Sequence, residues 1–110
     1  MVGQVAAEVV KEHPDAIIDI IAYSHVGYPS SVKMHPNIQV TWAPIGACQA
    51  HAFDECAANR DNDLLGWLDK WLDRTDMLHV WLYHYQNYPW MPHLKLFAAP
   101  QNLREFHRRG

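Results

Sequence analysis

The segment Leu78-His79-Val80-Trp81-Leu82-Tyr83 constrains the fold more than any other part of the chain. Side chains alternate across a strand, so Leu78, Val80 and Leu82 share one face while His79, Trp81 and Tyr83 share the other. The first face is wholly aliphatic and suits packing under helices. The second carries flat rings and hydrogen-bonding tips. Beyond it, residues 84–93 read as a loop crowded with aromatic, histidine and amide side chains. A strand divided in this way, ending in a wet aromatic loop, is how an α/β barrel presents a ligand site at the carboxyl ends of its strands.

The rest of the chain supplies the companions such a strand needs. Residues 2–12 place Val2, Val5, Ala6, Val9 and Val10 on one helical stripe, and His13-Pro14 stops that helix because the residue before proline avoids the α region. Ala16 to Tyr23 is β-branched on both faces, which predicts a strand of a parallel sheet covered on both sides. Residues 24–37 form a loop, and Ile38-Gln39-Val40-Thr41-Trp42 alternates as a second strand. A long loop is expected from Pro44 to about Asn59. Over 61–74, Leu64, Leu65, Trp67, Leu68, Trp71 and Leu72 follow the helical repeat, with Asp61 or Asn62 as its cap. Pro100 suits the first turn of a last helix bearing Leu103 and Phe106. Helix, strand, strand, helix, strand, helix predicts an α/β protein with a mostly parallel sheet.

Three strands whose faces all want cover do not close on themselves, and a full barrel needs about 250 residues. The fold expected is therefore α/β, a partial (β/α)8 TIM-type barrel of about three parallel strands with flanking helices. Residues 1–110 would form a fragment of a single barrel domain, with the remainder of the same chain as its partner. A self-sufficient three-stranded α/β domain is the competing reading. The 49% hydrophobic and 19% charged residues are the balance of a folded domain. The net charge is -3, and the only basic cluster is Arg104, Arg108 and Arg109, which argues against nucleic acid as a partner. No apolar run approaches the ~20 residues that span a bilayer, so no membrane partner is expected.

Taken together, several short stretches form an ordered series. These are His13-Pro14-Asp15, Ala22-Tyr23, Pro36-Asn37-Ile38, Cys48, His51 and Cys56-Ala57-Ala58-Asn59. The series continues through Trp67, Val80-Trp81-Leu82-Tyr83, Asn87-Tyr88, Pro92-His93 and Asn102-Leu103-Arg104-Glu105-Phe106 before Gly110. It resembles domain-of-unknown-function family 4838 over nearly the whole chain. That resemblance implies a TIM-type barrel allied to alpha-glucuronidases and other glycoside hydrolases. It also implies a carbohydrate or glycan substrate, an exported protein, and family sequence on both sides of this segment. Two places depart from the family pattern: Leu82, where a polar residue is frequent, and the run after Met91.

Sugars offer C–H faces to aromatic rings and hydroxyls to amides and carboxylates. Tyr23 and His25 at one strand end, with Trp81, Tyr83, Tyr85, Asn87 and Tyr88 at another, are the expected substrate-binding residues. Filling of the interior by Trp81 is the alternative for that side chain. Glycoside hydrolysis needs two carboxyl groups across the scissile bond. Asp54 and Glu55 are the weak catalytic candidates here, and the principal acids are expected outside the fragment. A non-catalytic carbohydrate-binding or structural barrel domain is the other functional reading. Asp19, inside the first strand, suits a structural hydrogen bond better than catalysis, because catalytic groups sit at strand ends. Cys48-x-x-His51-x4-Cys56 has donor types that suit zinc, but the spacing is not that of a standard closed site and a fourth ligand is not evident. A Cys48–Cys56 disulfide or two free thiols are the other readings of these residues. No metal and no cofactor is assigned.

Overall fold

The computed structural model describes residues 1–24, 27–48, 50–83 and 98–110. In chain order the elements are α1 (Val2–Glu12), β1 (Ile18–Tyr23), β2 (Ile38–Ala43), α2 (Ala57–Asp61), α3 (Leu64–Leu72), β3 (Leu78–Val80) and α4 (Ala98–Arg109). The three strands form one sheet in the order β1-β2-β3. Both pairings are parallel, with Ile18 opposite Ile38 and Val40 opposite Leu78. The chain is thus α/β, an open three-stranded parallel sheet flanked by helices. None of the described helices is long and apolar enough to cross a membrane.

The described helices gather on one side of the sheet. Ile38, Val40 and Trp42 on alternate positions of β2 have no exposed surface, and they share a core with Ala6 of α1, Ala22 of β1 and Leu64, Leu68 and Trp71 of α3. Leu78, Val80 and Leu82 lie against the same core, as does Phe106 of α4. The division of faces read from residues 78–83 is kept: His79 and Trp81 on the opposite face are exposed. β1 departs from its expected two-sided cover. Ile17 and Ile21 are 57% and 59% exposed, on the same side as Asp19 and Tyr23. Their β-branched side chains favour a pleated backbone whether or not a second layer covers them.

The described residues of the connection between β1 and β2 contain no α-helix, and they are fastened to α3. Trp71 Nε1 donates to Gly27 O at 3.1 Å, and the Tyr28 ring meets Trp67 with centroids 4.3 Å apart. Met34 N donates to Arg74 O just past the end of α3. A β-carbon at Gly27 would stand 3.0 Å from Ser24 O, so this turn leaves little room for a side chain there.

Two boundaries differ from those read in the sequence. The single helix expected over 61–74 is two helices, α2 starting earlier at Ala57 and α3 at Leu64. The break falls at Asn62 and Asp63. Asn62 Nδ2 donates to Ala58 O at 2.8 Å, and Asp63 takes a left-handed conformation at φ 49°. Aspartate tolerates that region better than most residues. Asp63, not Asp61 or Asn62, precedes α3, and its side chain makes no capping bond. The second difference is that β3 spans Leu78–Val80, three residues, with a single further ladder bond from Trp81 N to Trp42 O at 2.8 Å. β2 contributes the N–H of every second residue, starting with Val40 to Met77 O at 2.9 Å. Two steps on, that position is Pro44, which has no N–H to give.

α4 closes the layer from its far end. Arg109 pairs with Asp69 of α3 and with Glu105 of its own helix, and the Phe106 ring lies edge-on to Phe53 at 5.6 Å. The guanidinium of Arg108, then that of Arg109, hold the Glu105 carboxyl below its ordinary range. Its folded pKa is depressed, so this contribution to stability is present above the unfolded carboxylate pKa of about 4.3 and is lost as pH falls through the folded value.

Replacement of Leu68 by alanine should destabilise the intact protein by about 3 kcal/mol, since it opens a cavity at the centre of the helix–sheet contact. Trp71→Phe should cost about 1 kcal/mol by removing the bond to Gly27 O. Chemical denaturation checks both values, and a cost for Leu68→Ala below about 1 kcal/mol would contradict this packing.

Candidate functional site at the strand ends

The carboxyl ends of parallel strands share one edge of the sheet, and the register fixes which side chains meet there. On the helix-free face the first row is Asp19 and Gln39, and the second is Ile21, Thr41 and His79. In the third row Tyr23 stands opposite Ala43, and Trp81 follows Val80 on the far side of the same residue. Two large rings therefore flank a small central residue at the rim. Tyr23 and Trp81 are 41% and 57% exposed, while Ala43 between them is buried.

Polar groups lie beneath the rings. Asp19 Oδ1 accepts from Thr41 Oγ1 at 2.9 Å and from Gln39 Nε2 at 3.1 Å. Its carboxylate thus ties β1 to β2, the structural hydrogen bond expected for it. Tyr83 is half-buried, and its phenol is pushed up from its ordinary value by burial first and by the neighbouring Tyr23 second. A phenol hydroxyl can both donate and accept a hydrogen bond.

A cavity of about 410 Å³ opens behind the rim, between the β1–β2 loop and α3, and is lined by Tyr28, Trp42, Ile45, Asn62 and Trp67 among others. Trp42 Nε1 is buried and, among the described residues, has no hydrogen-bond partner.

The remaining sequence-predicted residues are placed differently. Asp54 and Glu55 are exposed, in the segment between β2 and α2. Asp54 accepts from Gln101 Nε2 of α4 at 3.1 Å, and Arg60 Nη1 of α2 donates to the backbone oxygens of both acids. The Asp54 carboxylate bonds to α4, and the backbone oxygens of both acids bond to α2. His25, Tyr85, Asn87 and Tyr88 lie outside the described residues.

Two asparagines that sequence reasoning did not single out for a role hold the 44–56 segment in place. Asn59 is 1% exposed; its Oδ1 accepts from Cys48 N at 2.6 Å and its Nδ2 donates to Cys48 O at 3.3 Å. Asn102 is 6% exposed and accepts from Phe53 N at 2.8 Å. An asparagine on the inward side of a helix needs such a partner, and that was the signal available. The clamp brings Cys48, His51 and Cys56 together, with Cys48 Sγ 3.4 Å from His51 Nδ1. Both cysteines are free thiols. Burial pushes the Cys48 thiol up, but hydrogen bonds from the Ala50 backbone, the Cys56 side chain and the His51 backbone outweigh it and hold the thiol below its ordinary value.

Asn59→Ala should destabilise the intact protein by about 2 kcal/mol, because both backbone groups of Cys48 lose their partner; calorimetry measures this. In a phenolate absorbance titration Tyr83 should ionise above the ordinary tyrosine range, and Tyr83→Phe should remove that late step. Stability from this group is complete below pH about 10 and is lost as pH rises through the folded pKa. Titration of Tyr83 in the ordinary range would contradict its burial in this structure.

The chain matches the family described as a domain of unknown function, DUF4838, over residues 1–110. No curated protein and no solved structure matches it. The match covers every element described above, and the chain belongs to the DUF4838 family.

Proposed function

We propose that this chain is part of a (β/α)8 TIM-type barrel that binds carbohydrate on the helix-free face of its sheet, at the carboxyl ends of the strands, in a glycoside-hydrolase-like protein. One observation carries the reading: Tyr23 and Trp81 flank Ala43 at the rim, with Asp19, Gln39 and Thr41 below them on the same face. Rings of this kind take the C–H faces of a sugar, and the tyrosine hydroxyls suit its hydroxyl groups. The winding supports the barrel. Strands in sequential parallel order with helices on one face only are the arrangement of a closed barrel, where the other face becomes the interior. A doubly wound sheet would carry helices on both faces. In the barrel reading Ile21, His79 and Trp81 point into the interior and meet side chains from strands contributed by the remainder of the protein.

Hydrolysis requires two carboxyl groups about 5–9.5 Å apart. Asp19 lies two rows below the rim and is already engaged by Gln39 and Thr41. Asp54 and Glu55 bond towards the helices. In this reading the segment supplies a substrate-binding wall of an alpha-glucuronidase-like barrel, and the acid and base come from other strands. The commitment of Asp19 favours a second reading, a carbohydrate-binding barrel without turnover.

The intact protein should bind oligosaccharides, uronic-acid sugars foremost, with a change in tryptophan fluorescence. Trp81→Ala should weaken binding by about 3–10-fold, the value of one ring contact. Release of reducing sugar separates the enzyme from the binding protein. Absence of binding across a broad glycan panel would overturn both.

A further inference from the structure

The Cys48, His51 and Cys56 cluster belongs to neither the aromatic row nor the cavity. Its donor atoms, Cys48 Sγ, Cys56 Sγ and a ring nitrogen of His51, all lie within 4.8 Å of one another. With zinc–sulfur bonds of about 2.3 Å and zinc–nitrogen bonds of about 2.0 Å, the edges of a tetrahedral site are about 3.5–3.8 Å. The Cys48 Sγ to His51 Nδ1 separation of 3.4 Å is already close to such an edge. We infer that Cys48, His51 and Cys56 form a three-ligand site for one zinc-class divalent cation, with a fourth position open to water.

The backbone prepares this arrangement. Cys56 is the N-cap residue of α2 in an extended conformation, and its N–H donates to Ala52 O at 3.1 Å. Cys48 is fixed to the same helix through the two hydrogen bonds of Asn59. Between them, Ala52 and Phe53 are buried and anchor the turn to the core. The two sulfurs are thus held from one short helix, while exposed His51 closes the site from the loop. Two soft thiolates and an imidazole select zinc-class ions over magnesium or calcium, which take oxygen ligands. On binding, each thiol gives its proton to solvent and each sulfur gives an electron pair to the ion; nothing is oxidised.

The test uses the intact protein, reduced and stripped of metal, titrated with Co2+ and then with Zn2+. One equivalent of cobalt should produce thiolate charge-transfer absorption and the visible bands of a tetrahedral ion, and zinc should bleach them. C48S/C56S should abolish the signal. H51A, at an exposed position that the core does not need, should weaken binding by more than about tenfold, since loss of even an outer-shell partner costs that much. Asp54→Asn should leave binding unchanged. The inference is overturned if cobalt gives the same spectrum with and without H51A. It is equally overturned if unreduced protein is two hydrogen atoms lighter through a Cys48–Cys56 bridge and the reduced thiols bind no cobalt.

Discussion

The structure depends on the burial of one face of β2. Ile38, Val40 and Trp42 lie wholly out of water against Leu64, Leu68 and Trp71. Because side chains alternate along a strand, fixing these three inward turns Gln39, Thr41 and Ala43 to the other side. The parallel register then carries the same choice to both neighbouring strands. A slip of one residue would place Trp42 where Ala43 stands and remove the gap between the two rim rings. The hydrophobic contact thereby sets the geometry of a polar surface that it does not touch.

The connections matter as much as the sheet. Among its described residues the 24–37 loop has no α-helix or strand, yet Trp71 Nε1, Tyr28 on Trp67, and Met34 N tie it to α3. The 44–56 segment is treated similarly by Asn59 and Asn102, reaching it from α2 and α4. Loops pinned by buried polar side chains pay no penalty for unsatisfied backbone groups and can hold functional side chains in fixed positions. The open rim, the cavity behind it and the thiol–imidazole cluster all border these pinned loops.

Much of this was legible in the residues because alternation is a direct physical signal. Residues 38–42 and 78–83 declare their faces, and the structure keeps the aliphatic sides inward. The β1 segment was harder: Ile17, Ile18, Ile20 and Ile21 are alike in type, so composition could not tell the covered side from the bare one. Helix boundaries between 57 and 72 were misplaced because the break depends on one left-handed residue, Asp63, within an otherwise periodic run. The strand ending at Val80 depended on a partner, Pro44, remote in sequence. The Cys48, His51 and Cys56 convergence was hidden for the same reason, since their spacing acquires meaning only once Asn59 folds the segment back. For Tyr23 and Trp81 the sequence indicated the strand ends, and the register supplied their common face.

The central claim is that the helix-free face of the sheet is the interior of a closed barrel with a sugar-binding rim. A crystal structure of the intact protein with a bound uronic-acid oligosaccharide tests it most directly. The account predicts further parallel strands continuing beside β1 and β3, Ile21 and His79 facing the barrel interior, and a sugar ring against Trp81 between Tyr23 and Tyr83. A layer of helices packed across Ile21, Thr41 and Trp81, with the sugar elsewhere, would contradict it.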